Sequence, residues 1–377
     1  MTLRLMQAAA FLVLAACGSA PTQSSAQSSG ERPFTASPVA TFESPWAMDF
    51  LPGSGVRMTN MALVTEKPGK LWLVDVSNGQ KREVAGVPKV HVQGQGGLAE
   101  VVVHPDFAGN QRVYLSFPEA GSNGTSGATI GYGRLILGSG QPRIEGYRTI
   151  WRQQPKVRGG NHYSERIAFA PDGTMFVSSG ERFQFDPAQD PGSDLGKIIH
   201  MTAEGQRIGG HHYTMGHRNV LGLAFAPDGR LWETEMGPRG GDELNLPHPG
   251  RNYGWPLATY GMDYSTKDPY PETIGTAAPG TEQPHHWWEV SPGLSGMAFL
   301  TGHPDSAWND SLFLGALADE NLIRLELDGN RIVGEERLLE DLGARIRDVR
   351  VGPDGAVYVL TDAADGALLR LDAPIEE

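Results

Sequence analysis

Leu221-Gly-Leu-Ala-Phe-Ala226 runs straight into Pro227-Asp-Gly229, and the chain continues Arg-Leu-Trp-Glu-Thr-Glu-Met-Gly237. Proline at the second position of a turn and glycine after the aspartate are β-turn chemistry. The alternation of apolar and polar residues on either side fits half-buried strands. The unit recurs: Arg166–Ala170 leads into Pro171-Asp-Gly173, and Ile346–Val351 leads into Pro353-Asp-Gly355. Pro45–Leu51, Gly97–His104 and Leu294–Leu300 share the texture of the leading strand. These six units begin roughly 50 to 75 residues apart, a spacing of short-strand repeats that points to a β-propeller. Each blade has apolar faces it cannot cover alone, so neighbours must stack in a closed ring. The chain therefore reads as all-β, one six-bladed propeller over residues 38–374, with Ala367–Ala373 or the first strand pairing across the termini to close it. Its 49 glycines and 27 prolines suit a turn-rich β protein.

The first residues have a different character. In MTLRLMQAAAFLVLAAC, Arg4 forms a short positive segment and Leu5–Ala16 is apolar except for Gln7. Leu14-Ala15-Ala16-Cys17 has the form of a bacterial lipoprotein cleavage box, giving a signal peptide over 1–16 and lipidation at Cys17. An ordinary secretory signal with a chance cysteine is the other reading. The Ser/Gln-rich stretch that follows cannot bury enough to fold, so 17–37 reads as a flexible tether. Cys17 is the only cysteine, which excludes an internal disulfide and any cysteine-cluster metal site. With 31 basic and 44 acidic residues the net charge is −13, which argues against nucleic acid or an anionic membrane surface as partner. Membrane contact is expected only through the N-terminal lipid, placing the protein in the periplasm or at the outer-membrane surface.

Polar clusters interrupt the strands. They are Gln93–Gly97, Gly160–Arg166, Gly216–Asn219, Glu235–Asn245 and the pair Arg345 and Arg347. Their placement at strand entrances and exits on several blades is what a funnel-shaped site needs. No nucleophile elbow and no phosphate-binding loop is present. Histidine beside arginine and glycine-rich backbone suits general-base work on an alcohol, with an anionic or electron-accepting cofactor held by arginine. The carbonyls and carboxylates of Glu235–Glu243 are hard ligands suited to calcium; a tight acidic loop without metal is the alternative.

The segments GQGGLAEVVVHPDF, GNHYSERIAFAPDG, AQDPGSDLGKI, GHRNVLGLAFAPDGRLW, EMGPRGGDELNLPHPGRNYGWP, SPGLSGMAF and RIRDVRVGPDG together resemble the soluble aldose sugar dehydrogenases. These are six-bladed propellers dependent on pyrroloquinoline quinone (PQQ). The likeness runs from about Ala40 to Leu371. It implies oxidation of the anomeric hydroxyl of an aldose to a lactone, by hydride transfer to PQQ, with His162 as base. Arg218 and Asn219 would contact the quinone oxygens, Gln95 and Tyr264 would contact the cofactor, and Arg345 and Arg347 would hold its carboxylates. Gly237 and Pro238 would ligate a calcium ion through their carbonyls, and Glu243 and Tyr253 a further, structural one. The acceptor of the electrons is not specified by the resemblance.

Three departures stand out. Ala318 occupies the position of a family lysine in Gly315–Asp319, unless another loop, that of Lys267 for instance, supplies the charge. Ser164 and Glu165 replace small glycines after the histidine and its aromatic neighbour. The stretch between Ile199 and Gly216 is shorter than the family pattern. Two other readings share the architecture: a calcium-dependent lactonase, and a binding module with a relic quinone site.

Overall fold

The computed structural model describes residues 34–53, 60–303 and 306–374. The segment 1–16, Cys17 and nearly all of the expected tether lie outside these residues. Six antiparallel sheets follow one another along the chain. Their innermost strands are Pro45–Phe50, Val101–Val103, Ser164–Phe169, Val220–Phe225, Leu294–Leu300 and Ile346–Val351. Each coincides with one of the six sequence units, and we number the blades one to six in that order. The Pro-Asp-Gly segments make the hairpins between first and second strands of blades three, four and six. Gly173, Gly229 and Gly355 have φ of 83°, 84° and 79°, the left-handed region in which glycine carries no Cβ penalty.

The ring closes across the termini. Thr35–Glu43 pairs antiparallel with Asp365–Asp372 and so becomes the outer strand of blade six. The strand begins three residues earlier than the propeller boundary read from sequence, because Thr35 to Ser37 find a ladder on Asp372 to Arg370. Apolar packing follows the same circular logic. Separate buried clusters fill the gaps between blades one and two, two and three, three and four, four and five, five and six, and six and one. Burial at about 25 cal/mol per Å² makes these interfaces the main stabilising term of the ring.

Two features of the inner strands position the site. Those of blades one, three, four, five and six each carry a register shift near their start, as between Ser164 and Ile167 or Ile346 and Asp348. Such bulges re-aim side chains, here toward one mouth of the channel. Below that mouth the channel is plugged by buried ion pairs. Arg166 Nη1 donates to Glu100 Oε2 at 3.0 Å and to Asp348 Oδ1 at 2.9 Å. Arg350 Nη2 donates to Glu100 Oε1 at 2.9 Å, and the Met48 amide to Asp348 Oδ2 at 3.0 Å.

Candidate active site

A funnel of about 850 Å³ opens where the loops converge. Its wall includes Gln95, Asn219, Gly237, Pro238, Tyr264, Arg345, Arg347 and Ala318, residues from four blades that the sequence had singled out. Parts of the expected loop clusters lie in strands: Ser164–Arg166 and Arg347 open inner strands, and Asp242–Asn245 is itself a strand. The funnel sits at strand ends, so the first residues of a strand face it as directly as the loop before them.

His162 lies behind this wall and is 6% exposed. Its amide donates to Gln95 Oε1 at 2.8 Å, and its Nδ1 lies 2.5 Å from Glu181 Oε1. Glu181 Oε2 accepts from the amides of Gln184 and Phe185, so the carboxylate is fixed from both sides. With Nδ1–H donating to the carboxylate, Nε2 is the free, proton-accepting nitrogen. Burial, then the charge of Arg218, pushes the imidazole below its ordinary pKa of 6.5, against the opposing pull of Glu181. It is therefore neutral at pH 7. Glu181 was not singled out from sequence; its only signal was an acidic residue closing the second strand of the same blade.

Arg218 is buried beneath the funnel. Nη1 donates to the carbonyls of Met236 at 3.0 Å and Gly237 at 2.9 Å, and Nη2 to the Tyr264 hydroxyl at 3.2 Å. Its guanidinium lies 5.3 Å from the centre of the Trp255 ring. The buried Nε has no hydrogen-bond partner among the described residues. Asn219 Oδ1 accepts from Ser164 Oγ at 3.2 Å. On the opposite wall, Asp362 holds both remaining arginines, through Arg345 Nε at 3.0 Å and Arg347 Nε at 3.1 Å. Lys67, unremarked in the sequence, also lines the funnel, and burial followed by the charge of Arg347 lowers its pKa. Lys267 does not line it; that residue is exposed on the turn after Tyr264. Lys67, Arg239, Arg345 and Arg347 line the cavity and Arg218 lies beneath it, five cationic side chains against the lining carboxylates of Glu165, Glu289 and Asp362, in a protein of net charge −13. One donor is left unspent and several others compete only with neutral carbonyls, which fits a planar anion bearing several carboxylates.

The loop Gly237–Gly241 is shaped by Asp242. That carboxylate accepts from the amides of Gly237, Gly293 and Leu294 at 3.0, 2.8 and 2.9 Å, and from the Ser291 hydroxyl. So employed, Asp242 knits blade four to blade five. Behind the loop lies a buried acidic cluster. His217, Glu233 and Glu235 bring ligand atoms within 4.8 Å of one another. Both carboxylate oxygens of Glu233 and Oδ1 of Asn245 lack hydrogen-bond partners among the described residues. Burial and then the charge of Glu235 push Glu243 up to about 8 and Glu233 well above its ordinary value. Glu243 and Tyr253 line a small recess here together with Glu235, and the Tyr253 ring stacks on His217 at 5.0 Å. Orphaned hard oxygens around a recess suit a calcium ion. Gly237, expected to offer its carbonyl to calcium, already accepts from Arg218, which leaves one lone-pair direction for a metal.

Residues 42–370 match the Glucose / Sorbosone dehydrogenase family. The chain is 41% identical over 339 residues to aldose sugar dehydrogenase YliI of Escherichia coli (strain K12), covering 87% of this chain and 89% of that protein. A crystal structure of a glucose dehydrogenase superposes with a TM-score of 0.84 at 50% identity, covering 89% of this chain and 99% of the other. The PQQ-bound form of an aldose sugar dehydrogenase from Streptomyces coelicolor superposes with a TM-score of 0.71 at 28% identity, covering 90% and 98%. With the match spanning nearly every blade and the site motifs gathered in one funnel, this chain belongs to the Glucose / Sorbosone dehydrogenase family.

Proposed function

We propose that the chain is a PQQ-dependent aldose sugar dehydrogenase that oxidises the anomeric hydroxyl of its substrate to the lactone. The observation that carries this reading is His162, buried and neutral just behind the wall of an arginine-lined funnel, with Nδ1 held by Glu181 and Nε2 left to accept a proton. When bound, PQQ supplies the hydride acceptor and calcium supplies Lewis acidity. The protein does the rest. Arg345, Arg347 and Lys67 would hold the cofactor's carboxylates, with Asp362 fixing the two arginines. Gln95, Asn219 and Tyr264 would orient the cofactor, and Arg218 would supply positive charge to its quinone oxygens. The Gly237 and Pro238 carbonyls would hold a calcium ion in the funnel. Glu243 and Tyr253 would hold a structural calcium in the recess behind it, supported by Glu233 and Glu235. His162 Nε2 takes the hydroxyl proton, and Glu181 stabilises the imidazolium that results.

Chelator-treated protein returned to an aldose and a redox dye tests this. Activity is expected only when both PQQ and calcium are restored. Equal activity with a nicotinamide nucleotide and no quinone would refute the mechanism. The same reading places the protein in the periplasm or at the outer-membrane surface, anchored by a lipidated Cys17.

A further inference from the structure

Glu165 stands where the resemblance expects a small glycine, and its setting is unusual in three respects. Its backbone φ is 74°, inside the bulge that opens the inner strand of blade three. Residues with a side chain adopt that conformation uncommonly. The residue lines the funnel, is only 2% exposed, and its Oε1 has no hydrogen-bond partner among the described residues. The one cation that bears on it, Arg182, is fully engaged elsewhere. Arg182 donates to the carbonyls of Asn161, Ser126 and Gly159, to Gln153 Oε1 and to Ser126 Oγ, which accounts for the five N–H groups of a guanidinium.

We propose that the Glu165 carboxyl is a cofactor-contacting residue, which donates a hydrogen bond from its own O–H to an oxygen of the bound quinone tricarboxylate. The proposal rests on the quinoprotein reading above. Burial raises the carboxyl well above its ordinary pKa, and Arg182 offsets only part of this, which favours the protonated, donor form. A neutral acid is a donor, whereas an ionised one would repel the cofactor. Its backbone is pinned for the purpose: Ser116 Oγ donates to the Glu165 carbonyl at 2.7 Å. The adjacent Ser164 hydroxyl braces Asn219, so the two non-glycine residues of this bulge serve one wall. A sugar hydroxyl is the less suitable acceptor, because Glu165 is as deeply buried as Asn219, which the resemblance assigns to the cofactor.

The test is PQQ affinity of the full chain with calcium, read from the cofactor absorbance without substrate. Glu165→Gln keeps a donor and should bind PQQ within about three-fold of wild type. Glu165→Met removes the donor at similar volume, and Glu165→Gly removes it while suiting the backbone. Both should bind about ten-fold more weakly. Thermal melts of the apo-variants check folding, and Glu165→Gly is the variant that keeps the test valid if Glu165→Met unfolds. Glu165→Gly binding PQQ as tightly as wild type would overturn the proposal, as would Glu165→Gln binding as weakly as Glu165→Gly. An unchanged PQQ affinity with a raised KM for aldose would move the contact to substrate and also overturn it. Failure of wild type itself to bind PQQ would overturn the quinoprotein reading, a result distinct from the other three.

Discussion

His162 and Glu181 form a dyad whose electrostatics can be read in its pH behaviour. Burial and Arg218 lower the imidazole pKa and Glu181 raises it, with the lowering dominant. A base must be deprotonated to act, so the acid limb of kcat is expected below the ordinary imidazole value of 6.5. Glu181→Gln keeps an oxygen to accept from Nδ1–H but removes the charge that raises the pKa. Its acid limb should therefore move to still lower pH, while wild-type behaviour with an unshifted limb would deny Glu181 the role. His162→Ala should lower turnover of the reconstituted enzyme about 10²–10⁴-fold with cofactor absorbance little changed. Turnover within a few-fold of wild type would require another base. Asp242 is a poor substitute because it is buried and spends its carboxylate on three amides and a hydroxyl.

At the scale of elements, the blade-five loop and the second hairpin of blade one share one task. Ala318 lines the funnel, its amide donates to the Pro292 carbonyl at 2.8 Å, and it brings no charge there. Lys67, on the turn between the second and third strands of blade one, lines the same funnel. A charge-assisted hydrogen bond contributes about 1.5–3 kcal/mol net, or roughly ten- to hundred-fold in affinity. Lys67→Ala should weaken PQQ binding by about that factor, with a loss that shrinks as salt rises. Ala318→Lys should tighten binding in the Lys67→Ala background and change it little in wild type. A cofactor titration at low and high salt measures both; a large gain for Ala318→Lys in wild type would show that Lys67 does not serve the missing lysine.

The whole molecule depends on ring closure, and its centre is polar. Arg166 joins blade three to blades two and six through Glu100 and Asp348, and its Nε donates to the Leu221 carbonyl of blade four at 2.6 Å. Removing one partner of such a buried network leaves uncompensated charge. Arg166→Met is expected to destabilise the fold by about 3–5 kcal/mol in chemical denaturation. A loss within experimental error would mean that the apolar gaps between blades alone hold the ring. The lipid anchor proposed at Cys17 would act independently of the ring. Cys17→Ser protein should leave the membrane fraction, with its propeller and PQQ binding unchanged; full membrane partition would contradict a lipid anchor there.

What the sequence determined by itself was local and repetitive. The Pro-Asp-Gly turns and alternating strands depend on neighbours along the chain, so six blades and their order were legible without coordinates. The motifs of His162, Arg218 and Arg347 were legible because each is a run of several adjacent residues that resembles the family pattern. Only the tertiary structure decided which groups complete them. Glu181 reaches His162 from 19 residues away and Arg166 reaches Asp348 from 182. Lys67 becomes a site residue only because blade one closes onto blade six, and the Glu233 cluster only because strands of blade four bury it. Ser164 and Glu165 were visible as departures, but their left-handed backbone and unpaired carboxyl arise from a bulge. That bulge appears only once the inner strand pairs with its neighbour in blade three, and no spacing in the sequence encodes it.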